Sequence, residues 1–160
     1  MKIAAFDTSS KALTLAILED ETLLAQMTLN IKKNHSITLM PAIDFLMNSL
    51  DMKPTDLDRI VVAQGPGSYT GLRMAVATAK TLAHTLKIEL VGVSSLLALV
   101  PEQAEGLVIP IMDARRNNVY AGFYQSGQAV RSEAHLPLAE VLGIAGAADQ
   151  PVTFVGETAA

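Results

Sequence analysis

The sequence contains no cysteine. That excludes a disulfide scaffold, a cysteine nucleophile and the cysteine-rich zinc sites. It also has no excess of cations: 12 lysines and arginines stand against 16 aspartates and glutamates, for a net charge of −4. With a pI near 5.3 the chain is not built to grip nucleic acid by itself, because such binding rests on clustered lysine and arginine. A role in a nucleic-acid pathway through a basic partner stays open. No apolar run approaches the roughly 18 residues of a membrane span. Only four apolar residues separate Met1-Lys2 from Asp7, too few for the core of a signal peptide, so the cytosol is the expected compartment. Half of the 160 residues are hydrophobic, which argues against disorder and supplies a core for one domain or two small lobes.

What is present is organised around Gly65-Pro66-Gly67-Ser68-Tyr69-Thr70-Gly71-Leu72-Arg73. The β-branched run 60–63 before it reads as a buried strand. After it, Leu72, Val76, Ala79, Ala83 and Leu86 recur at helical spacing as one apolar stripe. The element is a strand, a glycine turn and a helix. Gly65 and Gly67 can take angles closed to other residues, Gly71 permits close backbone approach, and Ser68 or Thr70 can cap the helix. Alanines at 75, 77, 79 and 83 call for packing against more than one helix face. A helix start attracts anions, yet both phosphate-loop patterns fail at Thr70, where GxxxxGK[ST] and GxGxxG each need glycine. A tight turn serving packing or a partner is the better reading.

In order, residues 2–6 read as a strand ending in the polar turn Asp7-Thr8-Ser9-Ser10. Residues 13–18 and 22–29 complete an antiparallel meander. Asn34-His35-Ser36 introduces a helix over 36–50, with Leu39, Ile43, Leu46 and Leu50 on its core stripe. Pro41 fits only its first turn, which moves the regular start toward Thr38. Met40, Phe45 and Met47 lie off that stripe as surplus apolar groups. After a break at 53–56 come the central strand and helix, a strand over 88–93, and a short helix capped by Ser94, running through Leu99 and stopped by Pro101. This order, βββαβαβα, implies a mixed sheet with parallel crossovers, and a first lobe over 1–104.

Residues 105–160 begin again in the same way. The apolar run 108–112 ends in Asp113 as residues 2–6 end in Asp7; Asp113-Ala114-Arg115-Arg116-Asn117 is a polar turn, and two further strands follow over 119–124 and 128–133. A short helix near 138–144 and a strand over 152–155 come last. The duplication predicts two lobes of one design, the second shorter, with the two aspartates facing a shared cleft.

Duplicated βββαβα lobes, each with an aspartate ending the first strand, resemble the actin-like and Hsp70-like ATPase superfamily, a ribonuclease H-like α/β fold. Within it, Asp7-Thr8-Ser9, Asn34-His35-Ser36 with Leu39-Met40-Pro41, the Gly65–Arg73 segment, Gly92-Val93-Ser94-Ser95-Leu96 and Met112-Asp113-Ala114-Arg115-Arg116 resemble the TsaB (YeaZ) family. The resemblance implies a non-catalytic subunit of the machinery that makes threonylcarbamoyladenosine at position 37 of tRNAs. In that family TsaB pairs with its paralogue TsaD, which carries the transferase site; TsaE, an ATPase, joins the pair, and TsaC supplies threonylcarbamoyl-adenylate. It further implies a homodimer when alone, contact with tRNA only through the complex, and a docking surface on the first two helices.

The site residues follow from that resemblance and from the residue chemistry. The docking surface is expected on Met40, Ile43, Met47, Arg73, Met74, Ala77, Thr78 and Thr81, because both helices carry apolar residues beyond one stripe. Arg73 is a cation in a helix's first turn, an electrostatically poor place that a partner could exploit. Metal-bearing TsaD relatives use two histidines four residues apart; here His35 is followed by Leu39, and His84 and His135 are distant, so no metal and no peptidase chemistry is implied. Kinases of the superfamily place glycine beside the first-strand aspartate. This chain has Thr8-Ser9-Ser10 after Asp7 and Ala114-Arg115 after Asp113. The cleft of Asp7, Thr8, Ser9 and Asp113 is therefore expected to be degenerate, with no cofactor and room for weak ATP or ADP binding only. Both aspartates read as turn residues bonding local amides. The rival reading, an ATP-dependent phosphotransferase of the sugar-kinase type using Asp7 and Asp113, lacks those glycines. Tyr120, Phe123 and Tyr124 are expected to pack on their strand rather than stack bases.

Overall fold

The computed structural model describes residues 1–30 and 37–158. It divides into two compact units, Met1–Val93 and Ser94–Ala160. In the first, β1 (Lys2–Asp7), β2 (Leu13–Glu19) and β3 (Thr22–Leu29) form the expected meander, with Asp7 opposite Thr14. Strands β4 (Arg59–Ala63) and β5 (Glu89–Val93) add in parallel beyond β1, giving the order β3-β2-β1-β4-β5. Helices α1 (Leu39–Ser49) and α2 (Tyr69–Leu86) supply the crossovers. Their buried residues join Ala4, Phe6, Leu13, Leu15, Ile17, Ile60 and Val62 in one core, the alternate positions of three strands. Both helices thus cover the same face of the sheet.

Helix α1 starts at Leu39 with Thr38 as its N-cap residue, which places Pro41 in the first turn as its chemistry demands. The introducing residues Asn34, His35 and Ser36 lie outside the described residues. Helix α2 departs from the expected stripe by one residue. Gly71, Ala75, Ala79 and Ala83, four residues apart, form its fully buried row, whereas Leu72, Val76 and Leu86 are only partly buried. The reason is steric. A row of the smallest side chains lets α2 lie close on β4 and β1, and the larger residues are displaced to its flanks.

In the second unit β6 (Leu107–Asp113) pairs antiparallel with β7 (Asn118–Gln125) and parallel with β9 (Val152–Gly156), while β8 (Gln128–Pro137) is the edge. Strand β6 is buried at every position but Asp113, as its unbroken apolar run requires. Helix α3 (Leu138–Gly146) inserts Val141 among Leu107, Ile109, Ile111, Val119, Ala121 and Phe123. The order β8-β7-β6-β9 repeats β3-β2-β1-β4, so the repeat in the sequence is a repeat of topology. Strand β8 runs on to Pro137, four residues past the expected end; proline is tolerated there because the strand is an edge.

Two expectations need correction. The compact units part at Val93/Ser94, not at 104/105. The expected helix after Ser94 is a single 3-10 turn, Leu97–Leu99. Ser94 does cap it, its Oγ accepting the Leu96 and Leu97 amides at 3.1 and 3.3 Å. The same hydroxyl donates to Glu133 Oε1, which also accepts the Tyr124 hydroxyl, so this segment is tied to the second sheet. Burial, followed by the bond to Glu133, pushes the Tyr124 hydroxyl up to about 12. Because the folded state holds this proton more tightly than the unfolded chain, the associated stability is complete below the ordinary tyrosine range near pH 10 and is lost as pH rises toward 12. Denaturant melts should show stability falling across that alkaline window. In Tyr124→Phe the slope there should flatten; an unchanged slope would refute the assignment.

Candidate partner-binding surface

The signature loop is built against the first turn of the chain. Ser68 caps α2, its Oγ accepting the Gly71 amide at 3.4 Å. The Ser68 amide donates to the Ser9 carbonyl at 2.6 Å, and the Thr8 hydroxyl, fully buried, donates to the Gly71 carbonyl at 2.7 Å. Gly67 has a φ of 151°, and a Cβ there would lie 2.5 Å from the Ser9 carbonyl oxygen. A Cβ on Gly71 would collide with the Thr8 carbonyl oxygen. The glycines thus serve close approach of two backbones. Gly65, with φ of 120°, and Pro66 make the bend, and Tyr69 and Thr70 are exposed at its outer end.

This geometry bears on the nucleotide reading. The Thr8 hydroxyl and the Ser9 carbonyl are engaged with the glycine loop and the Ser9 amide with Asp7, which leaves the buried Ser9 hydroxyl without a hydrogen-bond partner among the described residues. Asp7 Oδ1 accepts the Ser9 amide at 2.7 Å, and Asp113 Oδ1 accepts the Arg115 amide at 2.8 Å. The two aspartates therefore repeat one local turn bond, each to the amide two residues on. Among the described residues no group of three His, Cys, Asp or Glu side chains is placed to hold a metal ion.

The outer faces of α1 and α2 have a different character. Met40 is 46% exposed and Phe45 62%, on a helix whose core residues are already satisfied. Ile43 and Met47, expected at the docking surface, are 5% and 3% exposed. Their place is the core: α1 turns Leu39, Ala42, Ile43, Leu46 and Met47 to the sheet, a stripe wide enough to absorb Met47 as well. On α2, Arg73, Ala77 and Thr81 are exposed and Met74 and Thr78 half-buried. The Thr81 hydroxyl donates to the Ala77 carbonyl at 2.9 Å, so it makes no outward demand. The Arg73 guanidinium lies 5.4 Å from the centroid of the Tyr69 ring one turn earlier, which offsets its poor position in the helix field.

An open groove of about 750 Å³ runs along α2, lined by Tyr69, Leu72, Met74, Val76 and Ala77 with Arg73 and Lys80 among its walls. Residues Leu72 and Val76 were read as core, and the one-residue rotation of α2 puts them here instead. Phe45 and Tyr69, the two most exposed aromatics of the surface, were legible as surplus apolar and loop residues, without a docking role. Where α1 meets α2, Met40, Ile43 and Met47 line a small apolar cavity with Leu82 and Leu86.

The family model described as TsaD: tRNA N6-adenosine threonylcarbamoyltransferase matches residues 22–160. The Bacillus subtilis tRNA threonylcarbamoyladenosine biosynthesis protein TsaB is 46% identical over 98% of this chain and 71% of its own length. The Escherichia coli protein of the same name is 29% identical over 78% of this chain and 55% of its own. Among solved structures, YeaZ from Pseudomonas aeruginosa superposes with a TM-score of 0.77 at 32% identity, covering 85% of this chain and 66% of that one. An activator of 2-hydroxyisocaproyl-CoA dehydratase from Clostridium difficile, 18% identical over 82% of this chain and 44% of its own, shares the fold alone, with a TM-score of 0.52. With a TsaD family model matching most of the chain and a TsaB 46% identical over nearly all of it, the chain belongs to the TsaB (YeaZ) family of actin-like fold proteins.

Proposed function

We propose that this chain is the non-catalytic scaffold of the tRNA threonylcarbamoyladenosine machinery, docking TsaD through the outer faces of α1 and α2. The observation that carries the reading is the apolar character of those faces. Met40 and Phe45 stand exposed on α1, and α2 is flanked by a groove of half-buried leucine, valine and methionine. A helix covered on one side by its sheet and apolar on the other fits burial by a second protein. The docking set is then Met40, Phe45, Tyr69, Arg73, Met74, Ala77, Thr78 and Thr81, with Ile43 and Met47 supporting it from beneath. Alone, the chain covers the same face with a second copy, in the cytosol; TsaE joins the assembled pair. Activation works by differential affinity: the scaffold binds the competent TsaD conformation more tightly and so enriches it.

The reading takes no cofactor, and the bonds of the Thr8 hydroxyl and the Ser9 carbonyl to the glycine loop support that. An Asp7→Asn chain retains the amide acceptor for Ser9 while losing the charge. Reconstituted with TsaC, TsaD, TsaE and unmodified tRNA, it should sustain modification within about twofold of wild type. A phosphotransferase working through Asp7 would lose on the order of a hundredfold or more, the scale of an essential catalytic group.

A further inference from the structure

The turn between β6 and β7 carries a feature that docking leaves unused. Arg115, Arg116 and Asn117 have φ of 65°, 53° and 60°, three successive residues with side chains in the left-handed region. Positive φ at Arg116 and Asn117 is what a type I′ hairpin turn requires, and the Asn118 amide closes that turn on the Arg115 carbonyl at 3.0 Å. Further bonds hold it. Asp113 Oδ1 accepts the Arg115 amide at 2.8 Å, and Asn118 Nδ2 donates to the Arg115 and Arg116 carbonyls at 3.5 and 3.2 Å. The Asn117 carbonyl accepts the Leu138 amide at 2.9 Å, fixing the turn to the start of α3.

The result is a rigid turn with two exposed guanidinium groups. Among the described residues neither lies within 4.0 Å of a carboxylate. The chain's other arginines all have partners: Arg59 pairs with Glu89, Arg73 lies over Tyr69, and Arg131 lies over Phe123. The acids of the turn are engaged by main chain, Asp113 by the Arg115 amide and Glu157 by the Asp113 amide at 2.8 Å. On β7, four residues beyond Arg116, half-buried Tyr120 meets the exposed His135 ring, centroids 5.4 Å apart.

We propose that this turn is a contact for the phosphodiester backbone of a structured RNA. Paired guanidinium forks on fixed backbone suit phosphate oxygens, and an adjacent aromatic–imidazole pair suits the bases of an RNA loop. The RNA processed by proteins named as this chain's relatives is a tRNA. With a net charge of −4 the chain binds RNA weakly alone, and the turn adds to affinity within an assembly. The contact lies in the second unit and the docking face in the first, so each fails or stands separately.

The test is a titration of ¹⁵N-labelled chain with an unmodified tRNA anticodon stem–loop at low salt, read by NMR at the arginine side chains and the Asn118 amide. Shifts should concentrate on Arg115, Arg116, Asn118 and Tyr120. The Arg115→Gln/Arg116→Gln chain should bind at least tenfold more weakly, with the log–log salt slope reduced by about 1.5, the release expected for two phosphates. Retained Asn118 and Leu138 signals would show that the turn is intact in that variant. The proposal is overturned if no shift occurs at the turn, if the variant binds equally, or if polyglutamate or ATP competes at the same phosphate or carboxylate equivalents as the RNA. The last outcome would make the turn a protein or nucleotide contact.

Discussion

A Gly71→Ala chain is expected to lose about 3 kcal/mol or more of stability, through overpacking that cannot relax into a side chain. The added methyl would meet the Thr8 carbonyl oxygen, with the Thr8 carbonyl carbon 3.1 Å away, and both belong to main chain. Main chain moves only if the Thr8–Gly71 and Ser9–Ser68 hydrogen bonds open, which leaves a buried hydroxyl unsatisfied. The loss therefore compounds. Gly143→Ala is the contrasting change. Nothing lies within 4 Å of its would-be Cβ, and it sits inside α3, so alanine should add about 0.4–1 kcal/mol through a more restricted unfolded chain. Urea melts of both chains read the difference directly. Equal midpoints would refute the close-approach account of the signature loop.

The second large effect concerns association. Ala77→Glu is expected to weaken both homodimer and TsaD binding by more than a hundredfold, because desolvating a carboxylate in an apolar interface costs about 3 kcal/mol or more beyond what Arg73 one turn away returns. The monomer should be untouched. Ala77 is exposed, glutamate is a good helix former, and Arg73 stands one turn away as a counter-charge. Phe45→Ala should act in the same direction with a smaller loss, about 1–2 kcal/mol of binding, and little change in melting temperature. A destabilised monomer, or an unchanged dimer, would remove the α1–α2 face from the account.

Period and punctuation made much of this fold readable. The alternation along β1 and β2, the glycine turn before α2 and the repeat ending in Asp113 each report a local rule, and each element stands where the rule puts it. What went astray was rotational. On α2 both Leu72–Val76 and Ala75–Ala79 recur at helical spacing, and hydrophobicity favours the larger pair. The distance available above β4 decides for the smaller, and that distance is a tertiary property. Met47 shows the converse. It looked surplus because the core stripe of α1 is wider than one row. The unit boundary was missed for a related reason: Ser94 reads as a cap from sequence, but its bond to Glu133, 39 residues on, is a long-range pairing that no local pattern announces.

The central claim is that the exposed faces of α1 and α2 are a docking surface. Size-exclusion chromatography with light scattering, on the chain alone and mixed with the TsaD of its own organism, tests it most directly. The account predicts a homodimer that converts to a stable one-to-one heterodimer, both lost in Ala77→Glu. A monomer that ignores TsaD would contradict it.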